Sequence, residues 1–191
     1  METNFVNETT DTSALVYQVD ATGRKNGYFR QSIWNAAPKF RIIYDGKTGM
    51  QQILRSPDMI IEYYYKDGVL NGAYTITRQS IEICDEINGD MKPMIRSKIE
   101  GNYTDGKKSG FEFEYANSTM RLGANDCCLV REAHYRNGKL DGHVRRFDMR
   151  GKLVYSAAFV GGFKHGTETY YTPDGGITRL DSWVYGRKVV V

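Results

Sequence analysis

The chain has 191 residues, with 26 Lys and Arg against 23 Asp and Glu and a formal net charge of +3; a balance this even demands neither nucleic acid nor an anionic membrane as partner. Its 14 tyrosines and 20 glycines against only 4 prolines suit many short strands joined by glycine turns. No apolar run approaches the roughly 18–20 residues of a membrane span and the start is polar and acidic, so a soluble, cytoplasmic protein with no transmembrane segment is expected.

In chain order, residues 1–16 are rich in Thr, Asn and acid and are expected as a flexible tail or cap. From residue 17 to 191 the chain repeats itself. Gly23-Arg-Lys-Asn-Gly27 and a shortened Asp45-Gly46-Lys-Thr-Gly49 come first. An aromatic-x-x-Gly-x-x-x-Gly unit then appears from Tyr65 to Gly72, Tyr103 to Gly110, Tyr135 to Gly142 and Phe159 to Gly166, and Trp183-Val-Tyr-Gly186 opens one more. The first glycines fall at 23, 46, 68, 106, 138, 162 and 186, so four of the six intervals are 22 to 24 residues. The two long intervals predict extended hairpins or loops inserted near residues 79–98 and 117–130. Asp-Gly and Asn-Gly pairs at Asn26, Asp45, Asp67, Asn71, Asn88, Asp105, Asn137, Asp141 and Asp174 tolerate the positive φ of a tight hairpin turn and predict dense, regular turns. Phe111-Glu-Phe-Glu-Tyr115 alternates as a half-buried strand does, and no 3.6-residue apolar stripe persists.

A lone hairpin is unstable, so consecutive hairpins must pair edge to edge and share a stripe of rings. The fold expected is therefore all-β, an elongated single-layer antiparallel meander. The stripe should consist of Tyr65, Tyr103, Tyr135, Phe159 and Trp183, which hold equivalent places in their units. These rings are candidate anchors for a partner, since Tyr and Trp dominate interfaces, although rings at these positions also serve simply to hold a thin sheet together. Between the paired glycines lie Arg24, Lys25, Lys107, Lys108, Lys139, Lys164, Arg187 and Lys188, a candidate basic edge whose ordinary role is to solubilise turns.

Nothing in the sequence supplies the motifs of an enzyme or a cofactor site: there is no nucleophile elbow, zincin helix or phosphate loop. Cys84, Cys127 and Cys128 are odd in number, and neither they nor His134, His143 and His165 have zinc spacing, so no metal and no disulfide framework are expected. Asp85, Glu86, Asp90 and Asp126 form an acidic set in the two insertions and read as solvated loop residues.

The units from Tyr135 to Gly142 and from Phe159 to Gly166, with Arg150-Gly151 between them, resemble MORN repeats, above all the variant of the YwqK-type antitoxin family and of large DNA viruses. That resemblance implies a non-catalytic scaffold, a dimerising rod or a protein-binding surface, and in a viral setting a component of the particle. It also implies two alternatives, an antitoxin-like protein that occludes an effector and a binder of anionic phospholipid headgroups. The partner expected is a protein or a second copy of the chain.

Overall fold

The computed structural model describes residues 4–35, 40–45, 49–54, 56–84, 91–117 and 127–189, with backbone only for 40–54, 80–84 and 91–94. The described residues form strands and turns throughout, with no helix. Thirteen strands follow one another as an open antiparallel path: β1 (Asn4–Thr9), β2 (Ser13–Val19), β3 (Lys25–Ile33), β6 (Met59–Lys66), β8 (Gly72–Cys84), β9 (Met91–Thr104), β11 (Gly110–Asn117), β12 (Cys127–Arg136), β13 (Lys139–Phe147), β14 (Leu153–Val160), β15 (Phe163–Tyr171), β16 (Ile177–Val184) and β17 (Arg187–Val189). Two short pieces, β7 (Val69–Leu70) and β10 (Lys107–Lys108), pair with β6 and β9 just before β8 and β11 begin, and bring the sheet to 15 strands. The expected single-layer meander is therefore the observed fold.

Two features of the first 60 residues set how the array begins. The segment expected as tail or cap lies in the sheet from Asn4 onward: β1 pairs with β2 from Asn4↔Val19 to Thr9↔Ala14, and the Tyr17 ring rests 6.1 Å from Phe29. The shortened unit at Gly46 takes no place in the array. Among the described residues its strands β4 (Phe40–Asp45) and β5 (Gly49–Leu54) pair only with each other, and β3 pairs with β6, from Gly27↔Tyr65 to Ile33↔Met59. The unit at Gly46 lacks the aromatic that Tyr65 supplies, and Tyr65 takes the position opposite Gly27.

Five hairpin turns are of one kind. Their central pairs, Asp67-Gly68, Asp105-Gly106, Asn137-Gly138, Gly161-Gly162 and Tyr185-Gly186, all have positive φ at both residues, the type I′ turn whose twist matches that of the strands. Each turn is bonded to the one before it: the amides of Gly68, Gly106, Gly138, Gly162 and Gly186 donate to the carbonyls of Lys25, Leu70, Lys108, Leu140 and Lys164 at 2.7–2.9 Å. On the opposite edge the connections are wider. In Asp148-Met-Arg-Gly151 the Asp148 carboxylate accepts from the amides of Arg150 and Lys152, and Gly151 donates back to the Asp148 carbonyl. Gly23 closes a turn of this second kind, with Asp20 accepting from Thr22 and Arg24, which is why no aromatic precedes it.

The core is a row of cross-strand neighbours on one face, here termed the inner face. It runs Phe29, Tyr63, Tyr74, Gly101, Glu112, Ala133, Val144, Ala157, Glu168 and Asp181, one residue per strand from β3 to β16. Most of these residues are buried, with Ala133 and Ala157 almost wholly so. Small residues alternate with long ones: a Cβ at Gly101 would sit 2.8 Å from the Tyr74 ring, and Ala133 is flanked by Glu112 and Val144. This interdigitation lets a one-layer sheet exclude water without a second layer.

Candidate functional site

The five aromatics of the predicted stripe all lie on the inner face, one step closer to the hairpin tips than the buried row. Each stands opposite the second glycine of the preceding unit: Tyr65↔Gly27, Tyr103↔Gly72, Tyr135↔Gly110, Phe159↔Gly142 and Trp183↔Gly166. Those glycines have φ between 75° and 119°, a backbone shape costly for any residue with a Cβ. The recurring aromatic and glycine are thus two halves of one contact between neighbouring units. All five rings are half-buried.

The predicted basic edge divides between two faces, because adjacent strand residues point opposite ways. Lys25, Lys108, Lys164 and Lys188 point to the inner face. Lys107, Lys139 and Arg187 point to the outer one, and Arg24 pairs with Asp20 at 3.1 Å in the first turn. The inner lysines lie over rings: Lys25 is 4.6 Å from the Phe29 centroid and 5.3 Å from that of Tyr65, Lys108 is 5.1 Å from Tyr135, and Lys164 is 4.6 Å from Trp183.

Two of these lysines anchor carboxylates that sequence reasoning left unremarked. Glu168, 2% exposed, accepts at Oε1 from Lys164 Nζ (2.5 Å), Tyr155 (2.9 Å) and Tyr170 (3.2 Å), and at Oε2 from the Trp183 indole (2.8 Å). Glu112 accepts from Lys108, Tyr74, Arg131 (2.7 Å) and Tyr135 (3.3 Å). Burial pushes the Glu112 carboxyl up, but the donors outweigh it and hold it at about 2. Glu168 is likewise lowered against the effect of its burial, by Lys164 and Tyr155 above all. Tyr74 and Tyr155 are raised by burial and by the carboxylates they serve. Asp181, directly across from Glu168, is held by Lys188 at 2.8 Å and Arg179 at 2.6 Å.

Around Glu112 and Glu168 the carboxylates are held ionised by cations, and the phenols of Tyr74, Tyr135, Tyr155 and Tyr170 donate to them. Such groups fix side chains in place. Among the described residues no group of three or more His, Cys, Asp or Glu could hold a metal ion. Cys127 and Cys128 form no disulfide with each other, and the Cys84 side chain lies outside the described residues, as do Asp85, Glu86, Asp90 and Asp126.

The outer face is different in kind. Phe111 stacks on Phe113 at 5.8 Å and meets His134 edge-on at 4.9 Å, yet remains half in solvent. Tyr64, Val160, Phe163, Leu180, Val184 and Tyr185 are also exposed. Among the described residues no helix is long and apolar enough to cross a membrane. The sequence matches no protein-family model and no curated protein.

Proposed function

We propose that this chain is a non-catalytic interaction and assembly module, a β-hairpin array of MORN type that presents one surface to a protein partner or to a second copy of itself. One observation carries the reading: the inner face spends its polar groups on one another, whereas the outer face leaves large apolar side chains in water. Exposed apolar surface of this kind marks docking sites in soluble proteins. The open sheet supports it as well. Among the described residues β1 is paired on one side only, and β17 covers only Ser182–Val184 of β16, so backbone donors and acceptors at both ends are placed for strand addition. The glycine–aromatic pairing between units is the feature that supports the MORN-type reading.

The test is size-exclusion chromatography with light scattering on the full chain, followed by affinity capture, for the wild type and Phe5→Lys. Phe5 is exposed on β1, and a lysine there guards an edge against pairing. A dimer lost in the variant, or a stoichiometric protein partner, is expected; a monodisperse monomer that retains no protein overturns the reading.

A further inference from the structure

The type I′ turns form a second ladder, on the outer face at the hairpin tips. Gly106 lies against Val69, Gly138 against Lys107, Gly162 against Lys139 and Gly186 against Phe163, so the residue following each turn glycine falls in line with the last. Its cross-strand partner completes the tip: Thr104↔Lys107, Arg136↔Lys139, Val160↔Phe163 and Val184↔Arg187. Along this line the chemistry separates. Lys107, Arg136 and Lys139 make a cationic block. Arg136 holds Asp141 at 3.4 Å, Asp105 accepts from Asn71, and Lys107 and Lys139 have no ion-pair partner among the described residues. Next to it stands an apolar block of Val160, Phe163, Val184 and Tyr185, with Phe163 58% and Tyr185 61% exposed, and the exposed Arg187 across from Val184 closes the row with one more cation.

Tyr185 is the anomaly. The equivalent position in the other four turns holds Asp67, Asp105, Asn137 or Gly161, the residue types that accept positive φ. Tyr185 adopts φ 44° there, a strained conformation for a bulky side chain, and its ring is held 4.6 Å from His165 in solvent. Apart from its contact with His165 the ring stands in water, 61% exposed, so the strained turn holds an aromatic where a partner can reach it.

We propose that this tip row, resting on the interaction-module reading above, docks a polypeptide segment in which acidic residues stand beside apolar or aromatic ones. The acids meet Lys107, Arg136 and Lys139, and the apolar residues cover Phe163, Val184 and Tyr185. At about 4.8 Å per strand the row from Lys107 to Arg187 spans about 29 Å, the reach of about nine extended residues. Two unpaired cations supply steering and register, and the fixed aromatics supply the buried anchor.

The experiment pans a displayed random library of peptides of about 12 residues, long enough for that reach, against the full chain. Affinities of the enriched peptides are then measured for wild type, Lys107→Glu/Lys139→Glu, Phe163→Thr and Tyr185→Asn. Enriched peptides are expected to carry Asp or Glu on one side of an aromatic, in a common order, and each variant to bind about tenfold more weakly or worse. Tyr185→Asn is further expected to raise the Tm by about 2–4 °C while it loses affinity, a combination that a purely structural tyrosine would not give. Affinities within about twofold of wild type in every variant overturn the proposal. Peptides whose binding is lost instead on Phe5→Lys or Phe111→Thr also overturn it but leave the module reading standing. Failure to enrich any peptide overturns it too, and with a partnerless monomer in the preceding test the module reading falls as well. Wild-type binding to phosphatidylserine vesicles that is lost in these variants, with no peptide bound, would assign the row to a membrane and overturn it.

Discussion

Neighbouring hairpins solve the same packing problem with opposite chemistry. Two residues past its turn glycine, and again four residues later, the unit at Gly68 places Leu70 and Tyr74, and the unit at Gly138 places Leu140 and Val144. The units at Gly106 and Gly162 place Lys108 with Glu112 and Lys164 with Glu168 at the same two positions. Lys25 and Phe29 in the first unit are an intermediate, a cation over a ring. The slot therefore selects a pair, apolar with apolar or cation with acceptor. A buried carboxylate is tolerated only where lysine, phenol or indole donors arrive with it.

Breaking the pair gives the largest effect. Glu168→Ala leaves Lys164, Tyr155 and the Trp183 indole without their acceptor and is expected to cost about 3–5 kcal/mol in urea unfolding. Lys164→Leu with Glu168→Val copies Leu140 and Val144 and is expected to recover the part of that loss due to the stranded Lys164, but not the part due to the Tyr155, Tyr170 and Trp183 donors. A double variant as damaged as the single one would mean the two chemistries are not interchangeable.

Acid sharpens the same comparison. Glu112 is held at about 2, below its ordinary value of 4.5. The contribution of a lowered carboxyl is complete above the unfolded value and is lost as pH falls through the folded one. Stability is therefore expected to drop by on the order of 2–3 kcal/mol between about pH 4.5 and 2, and Glu112→Gln to flatten that slope. An unchanged slope in the variant would place the acid sensitivity elsewhere.

The smallest expected effect tests the spacers. Ala133 stands between Glu112 of a charged unit and Val144 of an apolar one and is fully buried. Ala133→Leu is expected to cost about 1–3 kcal/mol by overpacking, whereas a neutral result would show that the row can part to admit a larger side chain.

The turns at Asp67, Asp105 and Asn137 carry a dipeptide that accepts two successive positive φ values, but Asn26-Gly27, Asn71-Gly72 and Asp141-Gly142 carry it too, and there the glycine belongs to a strand and faces a ring instead of closing a turn. The aromatic positions were legible too, although their partners were not: which glycine a ring faces depends on strand register, and register is a property of the whole sheet. Glu112 and Glu168 escaped because charge reads as surface. The signal that marks them is Lys-x-Gly-x-Glu at 108–112 and 164–168, in register with Leu-x-Gly-x-Tyr at 70–74 and Leu-x-Gly-x-Val at 140–144. The basic edge was read from neighbouring lysines without assigning their faces, and strand alternation then divided it. The strands flanking Asp45-Gly46 pair with each other and stand outside the 15-stranded sheet, so a turn dipeptide in the sequence does not by itself place a unit in the array.

The bond from each turn glycine to the carbonyl of the preceding unit also has a mechanical meaning. β1 and β17 lie at opposite ends of the strand order, so tension applied between them pulls across the strands and loads the hydrogen-bond ladders one after another. An array held this way yields by unzipping from an end, hairpin by hairpin. Each 24-residue unit, such as that between Gly138 and Gly162, releases a contour length of about 80 Å at modest force. The molecule would then behave as a stepwise extensible tether, whose most strongly clasped links are the hairpins in which Glu112 and Glu168 bind side chains from neighbouring strands.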